Sequence, residues 1–244
     1  MSRTARDAAQ VARLASAAPD LAALDDAVTG CRACPRLVQW RETVARDKRA
    51  AYRDEEYWGR PVPGFGDPAA RLLVVGLAPG AHGANRTGRV FTGDRSGDWL
   101  YGSMYRVGLA NQPTASGLRD GLRLTGARVT AAVRCAPPDN KPSPEERTTC
   151  APWLDRELTL LASVTVLVAL GGVAWQATWA ALRRAGHQVP RPRPAFAHGA
   201  EVRLAGLTVL GCYHPSQQNT FTGKLTEQML DAVLGRAAAL AAPG

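Results

Sequence analysis

Residues 71–83 read Arg-Leu-Leu-Val-Val-Gly-Leu-Ala-Pro-Gly-Ala-His-Gly, and this stretch decides the fold class. Leu72 to Val75 form an unbroken apolar run that stops at Gly76 and gives way to a loop shaped by Pro79, Gly80 and Gly83. A short run without polar alternation, closed by turn residues, predicts a strand buried on both faces, and such strands belong to parallel sheets covered by helices. Outward from it, Val129-Thr-Ala-Ala-Val-Arg134 and Thr165-Val-Leu-Val-Ala-Leu170 repeat the pattern. Between them Ser143-Pro-Glu-Glu146 predicts a helix start, with Ser at the cap, Pro at the first helical position and Glu closing a capping box. That helix is expected to reach about Ala162. Helical spacing also covers 98–110, with Ser96 as the expected N-cap, then 173–184 and 224–240. Glu201-Val-Arg-Leu204 and Leu207-Thr-Val-Leu210 read as a hairpin turned by Ala205-Gly206. Strands separated by helical crossovers give an α/β architecture with a parallel sheet covered on both faces. With no internal repeat and no long linker, the expected organisation is one domain over 30–240, preceded by an N-terminal extension, 1–29, of no assignable role.

The 244 residues suffice for one sizeable core, and a composition 45% apolar and 21% charged excludes global disorder. Thirty basic residues against twenty-one acidic ones leave a net charge of +9. All but Lys48, Lys141 and Lys224 of those cations are arginine. The excess favours a polyanionic partner, nucleic acid ahead of a membrane surface. Met1-Ser-Arg-Thr-Ala-Arg-Asp7 leads into no apolar segment, so no secretory signal is expected. Leu158 to Leu182 is free of charge, yet Ser163, Thr165, Gln176 and the Gly171-Gly172 pair interrupt it. It reads as a helix end, a buried strand and a new helix, not as a bilayer crossing. A soluble, cytoplasmic monomer is expected.

In open α/β sheets the working loops lie beyond the carboxyl ends of the strands. Three polar loops locked by Gly or Pro fall there: 76–83, Cys135-Ala-Pro-Pro-Asp-Asn-Lys-Pro142, and His214-Pro-Ser-Gln-Gln-Asn219. Each alone reads as a turn; the three together predict a site. Cys31-x2-Cys34 with Cys135 and Cys150 is not the pattern of a disulfide framework in an intracellular protein. Four thiolates suit either tetrahedral zinc or a cubane iron–sulfur cluster, and the residues alone do not choose between them. Either would use four protein ligands, leaving no open position, and would staple the N-terminal segment to the sheet.

Taken in order, Gly76-Leu-Ala-Pro-Gly-Ala-His-Gly-Ala-Asn-Arg-Thr-Gly-Arg-Val-Phe-Thr-Gly-Asp94, the 134–142 segment and His214-Pro-Ser-x-x-Asn219 resemble the family 5 (type B) uracil-DNA glycosylases. That family stands close to the iron–sulfur family 4. Tyr57-Trp-Gly-Arg-Pro-Val-Pro-Gly-Phe-Gly66 and the cysteine spacing resemble it too, and the likeness runs from about Gly30 to Leu234. The resemblance implies a three-layer α/β/α fold around a four-stranded parallel sheet. It implies a structural [4Fe-4S] cluster on Cys31, Cys34, Cys135 and Cys150. It further implies excision of uracil, and of other deaminated bases, from DNA by a bacterial enzyme acting at the nucleoid.

Breaking a bond between base and deoxyribose builds positive charge on the sugar and negative charge on the leaving base, which must first be held out of the stack. On the family pattern His214, fixed by Pro215, is expected to hydrogen-bond a pyrimidine O2, and Phe91 to stack on the extruded base. Gly76, Ala78, Gly80 and Asn219 are expected to complete the base pocket. Leu77 and Ala78 stand where related enzymes carry a carboxylate or amide. Asp94 is therefore expected to orient water or stabilise the oxocarbenium ion, with Asn140 as a second candidate. Asp94 also reads as a turn residue capping the next helix, and Asn140 as a turn-former. Family 4 enzymes carry an Asn four positions before the second-strand Cys; Ala131 stands here, which predicts a relaxed pocket accepting hypoxanthine as well as uracil. Backbone contacts are expected from Asn85, Arg86 and Arg89 in the first loop and from Ser216, Gln217 and Gln218, the two glutamines filling the vacated stack less forcefully than an apolar wedge. Two rival readings are weaker. A nucleotide phosphohydrolase lacks the Gly-Lys-Ser/Thr ending of a P-loop, and a catalytically idle, metal-stapled DNA-binding module would make Asp94 and His214 dispensable.

Overall fold

The computed structural model describes residues 4–242. In chain order it contains α1 (Ala8–Ala17), α2 (Leu21–Thr29), α3 (Pro35–Asp47), β1 (Phe65–Gly66), β2 (Leu72–Gly76), α4 (Ala84–Thr87) and α5 (Arg95–Arg106). These are followed by β3 (Ala127–Ala131), α6 (Pro144–Leu160), β4 (Val166–Leu170), α7 (Gly172–Arg184), β5 (Glu201–Leu204), β6 (Leu207–Cys212), α8 (Gln217–Phe221) and α9 (Glu227–Ala241). The strands form one sheet in the order β1-β3-β2-β4-β6-β5. Its centre, β3-β2-β4-β6, is the four-stranded parallel sheet expected, and antiparallel β1 and β5 extend it to six strands.

Side chains alternate across this sheet as the two-residue period of a strand demands. Leu72, Val74, Val166, Val168 and Leu210 face a core shared with Leu100 and Met104 of α5 and with Leu230 and Leu234 of α9. Leu73, Val75, Leu167, Ala169 and Val209 face the opposite core, with Trp153 of α6 and Trp175 and Trp179 of α7. Helices thus cover both faces, giving three layers. The segment expected as an extension without a role joins the second core: Val11, Ala15, Leu24 and Val28 of α1 and α2 are buried there and both helices pack on α6.

The capping box at Ser143 is formed in both directions and starts α6 at Pro144. Helix α5 begins three residues earlier than expected. Asp94, not Ser96, is its N-cap, and Asp94 Oδ1 accepts the Gly97 N–H at 3.1 Å. A carboxylate there also complements the positive end of the helix. The uncharged stretch 158–182 is distributed over the end of α6, β4 and most of α7. Among the described residues no helix is long and apolar enough to cross a membrane.

Parallel pairing aligns Gly76 with Ala131 and Leu170 with Cys212. The carboxyl ends of β2, β3, β4 and β6 therefore share one edge, and the three loops singled out above all leave from it.

Candidate active site and cysteine cavity

A cleft of about 1790 Å³ opens at this edge. Its walls include Ala78, Gly80 and Gly83 of the first loop, Phe91, Asp94 and Arg95, Asn140 of the second loop, and His214, Ser216, Gln217 and Gln218 of the third. Three loops far apart in sequence converge because their parent strands are neighbours.

Glycine makes the close approaches possible. A Cβ on Gly76 would lie 2.6 Å from the Phe91 ring, so the bare backbone at the end of β2 is the shelf on which that ring rests. Gly76 itself sits beneath Phe91 and does not line the cleft. Phe91 holds φ +51° and packs its ring 5.6 Å from His214, the two planes inclined by 33°. A Cβ on Gly83 would lie 2.0 Å from Asp94 Oδ2, so Oδ1 caps α5 while Oδ2 faces the first loop. The capping reading of Asp94 is what the hydrogen bond shows, and it leaves the second carboxylate oxygen turned to the first loop. Burial raises its pKa, against the backbone N–H groups of Gly97 and Ser96, which favour the anion. Burial likewise pushes the His214 imidazole down to about 4, so its ring is neutral at physiological pH. Asn140, at φ +56°, is exposed at the rim.

Several expected contacts are corrected. Asn219 does not line the cleft: its Nδ2 donates to the His214 carbonyl at 2.8 Å and so braces the loop from behind. Asn85 is fully buried, its Nδ2 donating to the carbonyls of Arg41 and Ala81, and is out of reach of DNA. Arg86 is buried over the Tyr52 ring, paired with Glu55 and donating to the carbonyls of His82 and Gly93. Arg89 is buried over Phe65 and forked onto Asp120. These two guanidiniums shape the first loop from within and are not free for phosphates. Ser216 accepts the Asn219 N–H as the N-cap of α8, while Gln217 and Gln218 stand exposed on the rim.

The cleft also holds groups that the sequence did not single out. Arg49, Tyr52, His82 and Arg95 line it. His82 Nδ1 lies 3.1 Å from the Tyr57 hydroxyl, and its place in the first loop was the signal available for finding it. Phe221 is 68% exposed at the end of α8, with the Arg95 guanidinium 4.5 Å from its ring.

On the second-core side, Cys31, Cys34, Cys135 and Cys150 all line one small cavity, with Leu37, Arg41, Val133 and Trp153. All four are free thiols. Burial, reinforced by neighbouring cysteines, lifts Cys34 to about 12, and burial lifts Cys135 to about 11 against the Arg41 charge. Arg41 is buried, donates from Nη1 to Cys135 Sγ at 2.9 Å, and its Nε has no partner; its nearest carboxylate, Glu42, is 3.8 Å away. The Arg134 N–H points at Cys150 Sγ, 3.3 Å away. A buried cation and an inward N–H aimed at sulfur suit thiolates far better than thiols. Among the described residues no three His, Cys, Asp or Glu side chains converge on a single ion. Four cysteines around one cavity form an all-thiolate donor set of the kind that a four-ligand metal centre takes.

A three-layer fold with a cleft at the carboxyl edge of its sheet defines a class to which the chain can be compared. A family model described as the uracil DNA glycosylase superfamily matches residues 63–237, and the chain belongs to that superfamily. It is 56% identical to a type-5 uracil-DNA glycosylase of Mycobacterium tuberculosis over 230 residues, 93% of this chain and 84% of the relative. It is 53% identical to that of Thermus thermophilus over 225 residues, 91% of this chain and 99% of the relative. A type-4 enzyme of Pyrobaculum aerophilum is 27% identical over 200 residues, 81% of this chain and 83% of the relative. The chain is thus a member of the type-5 uracil-DNA glycosylases.

Proposed function

We propose that the chain hydrolyses the N-glycosidic bond of uracil, and of larger deaminated bases, in DNA, leaving an abasic site, with Asp94 and His214 as the working pair. The observation that carries this is the convergence of Asp94 Oδ2, the His214 ring and Phe91 on one cleft at the carboxyl edge of the sheet. The base enters against Phe91. As the bond to C1′ lengthens, the neutral His214 donates an N–H to the oxygen on which the leaving base gathers charge. Asp94, whose anion is favoured by the N–H groups of the first turn of α5, stabilises the developing oxocarbenium ion and holds the water that adds to C1′. The base departs as its anion, the sugar keeps the hydroxyl, and the proton released by the water passes to the Asp94 carboxylate and from there to solvent or the departed base. Asn140 at the rim is the second water-orienting candidate, and its exposure ranks it behind Asp94.

Breadth of substrate follows from what the pocket lacks. Ala131, the residue paired with Gly76 at the end of β3, brings no amide to the base edge, and Leu77 and Ala78 bring no polar group. A base that offers the wrong donor pattern therefore leaves no buried group unsatisfied, and discrimination is weak. Matched oligonucleotides carrying uracil, hypoxanthine or xanthine test this: cleavage of all three is expected, and cleavage of uracil alone overturns the breadth. Asp94→Asn and His214→Ala are each expected to lower single-turnover excision on the order of 10²–10³-fold while abasic DNA is still bound.

The four cysteines fit a [4Fe-4S] cluster. When bound, such a cluster supplies four covalent ties, here joining the loop before α3 to the segment after β3 and to α6, with Arg41 offsetting the negative charge. Its role would be structural, since four cysteine ligands leave no open position and none of the four lines the cleft. Asn85, bonded to the Arg41 carbonyl, links the two regions. Iron and acid-labile sulfide near four per chain are expected, with broad absorption in the visible; a colourless zinc protein overturns the assignment.

A further inference from the structure

The structure leaves a question about DNA binding: the first-loop groups expected to meet the backbone are turned inward, and a chain of net charge +9 must present its phosphate contacts elsewhere. It also leaves Val189-Pro-Arg-Pro-Arg-Pro194 without a role. The two observations meet in one place. Between α6 and α7 lies a groove of about 1020 Å³ with a floor of small apolar residues, among them Ala132, Ala151, Val173 and Ala177. Arg147, Arg184 and Arg193 line it, against a single carboxylate, Asp155. That carboxylate is taken: Arg184 forks onto it at 2.6 and 2.8 Å. Arg147 and Arg193 have no acidic partner among the described residues, and Arg147 Nε is buried without any partner.

The helices that wall the groove begin beside loops of the active edge. Val173 lies in the first turn of α7, two positions after Gly171, where a Cβ would come within 3.4 Å of the His214 Cβ. At the other wall, α6 starts directly after the loop that carries Asn140 and the exposed Lys141. The arginine of the Pro-rich loop is held in place. Prolines flank Arg193, the Pro194 carbonyl accepts Trp175 Nε1–H at 2.8 Å, and Phe196 packs edge-on against Trp175. Alternating proline restricts the backbone on either side of the arginine, so little chain entropy is lost when its guanidinium engages a ligand.

We infer that this groove is the track for the sugar–phosphate backbone flanking the extruded nucleotide, with Arg147 and Arg193 each neutralising one phosphate. The inference rests on the reading of the chain as an enzyme acting on DNA and adds the surface that holds the strand. A nucleic-acid backbone is favoured over an acidic peptide by two features. The groove's apolar lining is largely alanine and proline, which gives an anchoring side chain little to seat in, and both helices that wall it begin beside loops of the cleft that takes the base.

The test is the salt dependence of binding to a duplex with a stable abasic analogue, followed by fluorescence anisotropy from 50 to 300 mM salt. Each phosphate contact contributes about 0.9 to the slope of log K against log salt concentration. Arg147→Gln with Arg193→Gln is expected to lower that slope by about 1.8, and Arg193→Gln alone, at an exposed position that folding does not need, by about 0.9. Arg6→Gln with Arg13→Gln, the same charge change on exposed N-terminal positions outside the groove, is expected to leave the slope within about 0.3 of the unaltered protein. Equal slopes for the groove pair and the unaltered protein overturn the inference, whether the groove then proves idle or binds an acidic peptide. If the unaltered protein leaves uracil-bearing DNA intact, it is the functional reading that fails; the slope on abasic DNA is measured independently.

Discussion

Glu157→Gln probes the ion network that ties the cysteine-bearing segment to the sheet. Glu157, on α6, is fully buried; its carboxylate accepts Arg128 Nε at 2.6 Å and Thr130 Oγ1 at 2.7 Å, and Arg134 Nη2 completes the set. Arg128 has a second acid, Asp25 of α2, but Arg134 has only Glu157, and Arg134 Nε is already unpartnered. Burial alone would lift this carboxyl, yet the two guanidiniums override it and hold it at about 2. Neutralising it strands Arg134 as a buried, unpaired cation next to Cys135, a loss of about 3–5 kcal/mol. At roughly 2–4 °C per kcal/mol for a chain of this size, the melting temperature falls by about 6–20 °C, toward the lower end because glutamine keeps one acceptor oxygen. Thermal denaturation followed by circular dichroism at pH 7 measures it. Arg134→Met with Glu157→Met, which removes the stranded charge, is expected to lose less than Glu157→Gln alone. A pH series adds a sign. The folded pKa lies below the unfolded value near 4.5, so the carboxylate stabilises the fold above pH 4.5 and that contribution disappears as pH falls toward 2. The gap between the unaltered protein and Glu157→Gln should therefore narrow over that window. A melting temperature within 2 °C or so of the unaltered protein would refute the network as a source of stability.

Gly83→Ala drives a Cβ into Asp94 Oδ2, and excision is expected to fall at least about tenfold while abasic DNA still binds, because the displaced carboxylate no longer faces C1′. A rate within twofold in single-turnover assays counts against Asp94 as the water-holding group. His214, held at about 4 in the fold, takes up a proton on unfolding between pH 6.5 and 4, so its contribution is complete above pH 6.5 and is lost as pH falls through that window. His214→Asn should flatten the stability profile there by up to about 1.4 kcal/mol per pH unit, read from urea midpoints. Cys34→Ser is expected to purify with less iron and weaker visible absorption and to melt earlier; full iron content would remove Cys34 from the ligand set.

Much of this molecule is legible in its sequence because the signals are local. The run at 72–75 is apolar without alternation, so it had to lie between two layers. Ser143-Pro-Glu-Glu146 carries its whole cap within four residues, and α6 begins where that cap places it. Loops that follow parallel strands must gather at one edge, so the convergence of 76–94, 135–142 and 214–219 was implied once the strands were recognised. The two-residue strand β1 and the helices α1 and α2 were not foreseen, since each is held by partners distant in the chain.

Charged side chains mark the boundary most clearly. The sequence by itself established an α/β sheet, the loops of the site, and the presence of Asp94, His214 and four cysteines at telling intervals. Only the tertiary structure decided which way the arginines face. Arg86 and Arg89 look like phosphate ligands in a basic loop, yet each finds its carboxylate 31 positions away, Glu55 before it and Asp120 after it, and turns inward. Arg193, in a Pro-rich basic stretch whose sequence assigns it no role, is exposed on the groove between α6 and α7. The difference is physical: backbone propensity and apolar periodicity act between near neighbours, whereas the direction of a guanidinium is set by whichever acid the folded chain brings within reach.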